Sequence, residues 1–578
     1  MKKRKSKYDN INLFPAVKNT KSNSLYGYIN NSGKFVILPT FEYASNFNSD
    51  GLAIVVKNNL TGVIDTTGKF IVEPTFSNIE EFSEGRAVCT FTDGSMGIID
   101  KLGNIITKKK YQYISKFNNL RAVVANPKPN GNYLYGYIDI DGNEVIKLQY
   151  INANDFIDEV AIVQINNDRF ELIDVDGFVI SSYKYRFVGL YGEGVMAFGN
   201  DPLGPLGYMD ENGDILIKPM FYSATPFKDG VAIVSTTENF NGPFGVINKL
   251  GEFIYSPIYS DIKSLGENRL ALGMPLGNAN KIVNSIYALG TTECNVLTEF
   301  IYLNIDKFDN NLASAYNYNS TFFINSSGNI IPSLPKVKGS GTLELLNNII
   351  SANVDYMKLY ISLSGKLIYK PNSLILLSRI YSVNKLKYKP NVNYLVYYPK
   401  VNLKSNNLTE MKINNRLKTL SNLKEIDKYD DLSFSYLGDF SISFFHKNLL
   451  VLKMTGYNYP FGAAHGLETL ITPNINLKTG EFYNISDLFK SSLYWVREID
   501  NIINNEIKTN PNYESVYPDG FKGIKDNQGF YVDKNFLYIY FPPYEIAPHS
   551  SGFVTFKIPF SKIENIINKK GSFYKAFN

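Results

Sequence analysis

The sequence predicts a mainly β protein in two parts: a tandem array of three-stranded antiparallel meanders, then a separate α+β domain. Three observations predict this. A block of about 36 residues recurs in register, which is how repeat architectures show themselves. Aromatic usage is heavy, with 42 Tyr and 39 Phe beside a single Trp, a bias that favours strands. Helical periodicity emerges only in the last third of the chain.

The repeat is read by aligning Tyr26-Gly-Tyr-Ile-Asn with the stretches that begin at Thr61, Met96, Tyr135, Leu206 and Phe244. Six residues after each first glycine comes a second: Gly33, Gly68, Gly103, Gly142, Gly213 and Gly251. Pro39, Pro74, Pro219 and Pro257 follow in four of the six, and then a stretch such as Gly51-Leu-Ala-Ile-Val. Degenerate copies at Phe170, Tyr287, Phe322 and Leu359 bring the count to ten.

Each element has a physical job. Ile-Asp-x-x-Gly places a turn former and a φ > 0 residue between two alternating apolar segments, which is a hairpin. Proline cannot donate to a ladder, so it ends the pairing. The Ala-x-Val stretch reads as a third strand. One meander cannot bury its own face, so neighbours must stack in a quasi-one-dimensional array. Gly136 and its equivalents read as inter-repeat glycines. The spacing leaves a propeller-like ring possible, but ten short repeats favour an open arc or superhelix, because propellers usually have four to eight larger blades.

This pattern resembles the WG-repeat family over residues 22–376. The Trp that usually precedes the first glycine is absent from every copy, and Tyr, Thr, Met, Leu or Phe stands there. Those positions are expected to pack between repeats, so the change reads as drift within the core. Residues 1–21 read as a basic disordered tail and 377–393 as a linker.

From 394 to 578 the pattern is α+β. Met411, Asn414, Leu417, Leu420 and Leu423 recur every three residues as one helix face. Leu493, Val496, Ile499, Ile503 and Ile507 form a longer helix beginning near Ser486-Asp487. Ser561-Lys-Ile-Glu564 reads as a capping box for a last helix ending at Gly571. Ser441–Phe445 and Leu449–Lys453 flank His446-Lys-Asn as a hairpin.

Two loops of this domain are distinctive: Tyr459-Pro-Phe-Gly-Ala-Ala-His465-Gly466, and Phe541-Pro-Pro-Tyr544-Glu545-Ile-Ala-Pro-His549-Ser-Ser-Gly552. With Asn476-Leu-Lys-Thr-Gly480, Leu488-Phe489 and Ile558-Pro559, they resemble the extracellular domain of lysozyme-sensing anti-sigma factors and the accessory domain of peptidoglycan deacetylases. That resemblance implies a module for cell-wall glycan or a wall-acting protein, with no established catalytic residues. Loops rich in Gly, Pro and aromatics on a firm scaffold suit recognition. Tyr459, Phe461 and Tyr544 are expected to stack on a ligand, Glu545 to accept a hydrogen bond, and His465 and His549 to position the site.

Composition excludes several classes. Two cysteines rule out a disulfide framework or a cysteine-built metal site. The net charge of +5 resides in Lys2, Lys3, Arg4, Lys5 and Lys7, leaving 54 basic and 54 acidic residues, so no basic stripe for nucleic acid is expected. No apolar run is long enough to span a membrane. Ile11–Val17 is too short and polar for a secretory core, so the default location is cytoplasmic; the alternative is a spore or cell surface reached by another route. Abundant Asn, Ile, Lys and Tyr point to an AT-rich Gram-positive source. Glu545, His465 and His549 form the one set that zinc or acid–base chemistry would use. Pro548 argues against a helix aligning Glu545 with His549, so no metal, no cofactor and no catalysis are expected. The sequence therefore reads as a binding or scaffold protein. A structural part of a spore-coat, surface or secreted assembly and a hydrolase-like role remain as alternatives.

Overall fold

The computed structural model describes residues 11–21, 24–238, 242–277, 284–404, 407–491 and 494–578. Lys2, Lys3, Arg4, Lys5, Lys7 and Leu493 lie outside them. The chain divides into two compact units, the first running to Pro371 without Asn19–Ser24, and the second made of Asn19–Ser24 with Asn372–Asn578.

Ten small sheets run in chain order from Phe14 to Tyr369, each an antiparallel meander of consecutive strands. In the second, Tyr43–Ala44, Ala53–Lys57, Leu60–Ile64 and Phe70–Phe76 lie side by side. A leading strand makes seven of the ten sheets four-stranded, one strand more than the sequence predicts; it is two residues long in five of them and six in the other two.

The motif residues explain this regularity. Asp65 accepts from the amides of Thr67 and Lys69 at 2.9 and 3.0 Å and from the Thr67 hydroxyl at 2.6 Å, an Asx turn that closes the hairpin locally. Asn30, Asp100, Asp139, Asp174, Asp210, Asn248 and Asn325 accept from the equivalent two amides. The first glycine has a different reason. Gly62 sits at a register shift between Thr61 and Val63, where a Cβ would stand 2.6 Å from the Val72 carbonyl oxygen.

Gly136 corrects an expectation. Its close neighbours are Ile146, Lys147 and Leu148 of its own sheet, so the first glycine shapes the meander from within. The second glycine is the one between sheets. A Cβ on Gly68 would meet Ile37 of the preceding sheet, on Gly177 Ile146, and on Gly251 Ile217.

The array closes. Each sheet shares a buried apolar cluster with the next, as Tyr28, Ile37 and Phe41 do with Phe47, Val55 and Ile64. A row of ten sheets has nine such junctions; here there is a tenth. Phe14, Ala16 and Ile29 of the first sheet pack on Leu346, Ile349 and Tyr360 of the last. A Cβ on Gly33 would strike Ile368, the contact made elsewhere between consecutive sheets. Tyr360 donates to the Pro15 carbonyl at 2.8 Å, as Tyr28, Tyr137 and Tyr208 donate to Ser45, Asn154 and Thr225. The open arc is therefore replaced by a ten-bladed ring. Closure satisfies both terminal sheets, which an arc would leave with one bare apolar face each. Phe14–Asn19, placed in the disordered tail, is the first strand of the first blade, with Phe14 and Ala16 buried. The positions that replace the family's Trp, among them Tyr26, Met96 and Tyr135, pack on the inter-blade clusters as expected.

The second unit is α+β. Its main sheet has eight strands, and the residues expected to be linker belong to it: Tyr381–Asn391 pairs along its length with Tyr394–Leu403. Tyr394–Leu403 runs parallel to Phe434–His446, and α1 (Asn407–Leu420) is the crossover between them. The predicted hairpin is Phe434–His446 with Leu449–Pro460. Period-two alternation splits the strand from Leu449 between two cores. Leu450 and Leu452 face Ile413 and Leu417 of α1. Leu449 and Val451 face α2 (Tyr494–Thr509) and a second sheet of Phe530–Val532, Phe536–Phe541 and Val554–Pro559.

Three helix expectations need correction. The helix placed from Ser486-Asp487 begins only at Tyr494, because Ile485–Leu488 is a separate 3-10 turn. The buried face of α1 is Ile413 and Leu417, four apart, while Met411 is exposed; a strict three-residue spacing drifts around a helix of 3.6 residues per turn. Ser561–Glu564 caps no α-helix. Ile563, Ile566 and Ile567 are drawn into the core, Phe560–Lys562 is one 3-10 turn, and α3 (Ser572–Phe577) starts only after Gly571.

Candidate functional site

The two distinctive loops of the second unit meet. Residues 461–466 connect Leu449–Pro460 to Leu467–Ile471. Residues 542–553 connect Phe536–Phe541 to Val554–Pro559, and are anchored from below by buried Ile546 and Ala547. The Ile546 carbonyl accepts from the Tyr517 amide at 2.8 Å. Tyr544 and His549 flank this anchor; the Tyr544 ring is turned outward and His549 is half-buried beside it.

Three rings converge. His465 and His549 stack with centroids 4.0 Å apart and an interplanar angle of 23°. Tyr544 lies 5.4 Å from His549 and 6.3 Å from His465. The Tyr544 hydroxyl and His465 Nε2 are 3.0 Å apart, and His465 Nδ1 is 3.1 Å from the Gly466 carbonyl. A carbonyl only accepts, so Nδ1 donates to it, and Nε2 pairs with the Tyr544 hydroxyl. His549 Nε2 is buried with no hydrogen-bond partner, an uncompensated polar atom beside an exposed ring.

Tyr544 is 53% exposed and holds φ +69°, a left-handed backbone that is unfavourable for an aromatic residue. The loop enforces it: the Tyr544 amide donates to Ala547 at 3.0 Å and the Glu545 amide to Pro542 at 3.1 Å. Gly466 is required because a Cβ would lie 2.4 Å from the Tyr457 ring, whose hydroxyl accepts from the Gly466 amide at 2.9 Å.

The structure thus brings together His465, Tyr544 and His549 and leaves the other three elsewhere. Tyr459 and Phe461 form their own pair at 6.4 Å, and among the described residues no ring contact joins them to the trio. Glu545 accepts from Lys525 at 2.5 Å and lines a groove of about 640 Å³ together with Gln528, Phe530 and Phe553. Sequence reasoning missed Tyr457 and Lys525. Tyr457 alternates with Tyr459 along one strand, a signal that was available; Lys525 lies in a polar loop and gave none.

Among the described residues no helix is long and apolar enough to cross a membrane, and no group of three or more His, Cys, Asp or Glu side chains is placed to hold a metal ion.

Comparison with known proteins accords with this two-part organisation. WG containing repeats match at residues 26–60, 62–88, 96–124, 135–167, 207–239 and 244–272. A domain described as "Protein of unknown function (DUF3298)" matches residues 486–561. No curated protein matches the chain. Among solved structures, the chain is similar to a DUF3298 family member from Bacteroides fragilis, at 16% identity over 35% of this chain and 98% of that one, TM-score 0.28. It is similar also to a DUF3298 family protein from Pseudomonas aeruginosa, at 12% identity over 33% and 96%, TM-score 0.26. A third similar structure is BamB from Moraxella catarrhalis, at 12% identity over 50% and 94%, TM-score 0.27.

Proposed function

We propose that the protein is a non-catalytic binding protein of the cell envelope, in which the second unit recognises a wall glycan and the ring offers a broad scaffold surface. The observation that carries this reading is the Tyr544–His465–His549 stack: an exposed aromatic face on a strained, well-anchored turn. Backbone strain of this kind collects at functional sites. The aliphatic face of a pyranose gains by covering such a ring, while its hydroxyls suit nearby nitrogens and carbonyls. A hydrolase role has less support, because the Glu545 carboxylate that would act with the histidines is engaged by Lys525.

Titration calorimetry of the whole protein with β-1,4-linked N-acetylglucosamine oligomers tests this. Saturable binding is expected, to be weakened at least ten-fold by Tyr544→Ala (about 1.4 kcal/mol) with the thermal midpoint held. Binding is expected to persist in chelator. Cleavage of the oligomers, or zinc lost on His465→Ala, would replace this reading by the hydrolase one. No binding to any envelope glycan would favour a structural role in a surface assembly.

A further inference from the structure

The strand Leu467–Ile471 pairs on one side only, with Leu449–Pro460. Its hydrogen-bond phase follows from one contact. The Leu452 amide donates to the Pro473 carbonyl, and in an antiparallel ladder the bonded pairs recur at every second residue. Met454–Ile471, Gly456–Thr469 and Asn458–Leu467 are therefore the bonded pairs, and Glu468 and Leu470 turn their backbone groups outward. The Tyr540 hydroxyl takes the Leu470 carbonyl at 3.1 Å. Both backbone groups of Glu468 and the amide of Leu470 have no hydrogen bond among the described residues.

Exposed edges are ordinarily blunted by proline, lysine or a bulge. This one has no proline, lysine or bulge in its register and a single charge, Glu468, while Leu467 and Ile471 stand 51% and 40% exposed. Concavities adjoin it. On the α1 side a cavity of about 510 Å³ is bordered by Thr469 and Ile471. Its floor is the cross-strand pair Gly438–Gly456, where a Cβ on Gly456 would stand 2.4 Å from the Tyr436 hydroxyl. The groove of about 640 Å³ runs past Glu468 and Leu470 toward Gln528 and Phe553.

We propose that this edge docks an extended polypeptide segment of a partner protein, which adds to the main sheet as a further β-strand. Main-chain hydrogen bonds would come from Glu468 and Leu470, and specificity from alternate side chains entering the adjoining concavities, as strand addition requires. The segment that suits it is uncharged and β-prone, with branched apolar residues at every second position to cover Leu467 and Ile471. A glycan cannot satisfy this edge, because it lacks the alternating amide and carbonyl spacing.

The test uses the whole protein and a fluorescein-labelled ten-residue peptide of alternating Val and Thr between terminal lysines. Anisotropy is expected to show saturable binding, weakened at least about ten-fold by Glu468→Pro and within about two-fold of wild type for Glu468→Ala. Proline at 468 removes only an outward amide, so the pairing with Leu449–Pro460 remains. The same peptide N-methylated at every Val and Thr should not bind, because neither edge of the strand then keeps its amides, which keeps the test decisive if Glu468→Pro misfolds. Hydrogen exchange should slow at Glu468 and Leu470 when the peptide binds. Equal binding to Glu468→Pro, binding of the N-methylated peptide, protection elsewhere, or no saturable binding would overturn the proposal. So would a wild-type dimer that Glu468→Pro dissociates, which would make the occupant a second copy. Tyr544→Ala is expected to leave peptide binding intact and Glu468→Pro to leave oligosaccharide binding intact, so failure of one reading does not imply failure of the other.

Discussion

In the ring, every blade is covered on both sides by a blade of its own kind, through contacts that recur. In the second unit, one eight-stranded sheet is covered by α1 on one face and by α2 and a second sheet on the other, through contacts that each occur once. The two arrangements distribute information differently. A ring residue can be judged against nine counterparts, whereas a residue in the second unit has only its own surroundings. They also distribute stability differently. A closed ring has no end from which to fray, while a layered α+β domain opens locally at its loops and edge strands.

The sharpest way to break that contrast is Gly136→Val. A Cβ would lie 2.4 Å from the Ile146 carbonyl oxygen, with no flexible side chain to yield, so a loss of about 3 kcal/mol or more is expected. Hydrogen exchange should show protection falling across all ten blades, with the second unit unchanged. Loss confined to the fourth blade and its neighbours would mean that closure adds no cooperativity.

A smaller effect tests whether the seam between last and first blades is ordinary. Tyr360→Phe removes the bond to Pro15, and Tyr208→Phe the matching bond to Thr225. Each should cost about 1 kcal/mol, measured by denaturant unfolding of the ring. A much smaller cost at Tyr360 would show that the seam is loose.

In the second unit the sign reverses. Tyr544→Gly relieves a left-handed backbone at φ +69° and should stabilise by up to about 1 kcal/mol, while oligosaccharide binding falls. A destabilised variant would show that Tyr544 is held there for packing.

The smallest expected effect lies in the repeat turns. The Thr67 hydroxyl, helped by the Lys69 and Thr67 amides, holds the Asp65 carboxyl below the usual range. A depressed folded value contributes stability above the ordinary carboxylate range and loses it as pH falls through the lowered value. Thr67→Val should return the Asp65 titration, followed by carboxyl NMR, toward the ordinary range.

How much was legible follows the same division. All ten blades were visible because Gly, Asp and Ala-x-Val recur in register, including copies as worn as Tyr287. Closure was not, because it depends on the angle between successive blades, which spacing does not encode. Phe14-Pro-Ala16 was hard to see as a strand, because Phe and Ala stand where later repeats have Ala and Val and basic residues precede it. In the second unit, Tyr459–Gly466 and Phe541–Gly552 marked the site. They did not show that His465 stacks on His549 while Glu545 turns to Lys525, because those pairings arise from loops about eighty residues apart. Ser561–Glu564 misled because a capping box is local, and the burial of Ile563, Ile566 and Ile567 outweighs it.

The seam between the last and first blades has a consequence for how such a chain can evolve. An open solenoid gains or loses a repeat by duplication or deletion at little cost, because only neighbours notice. Here Gly33 must reach Ile368 and Tyr360 must reach Pro15, so one blade more or fewer would displace the meeting point of the two ends. Copy number becomes a conserved quantity. Sequence decay within a blade is tolerated, as the copies at Phe170, Tyr287, Phe322 and Leu359 show, while loss of a whole blade is not.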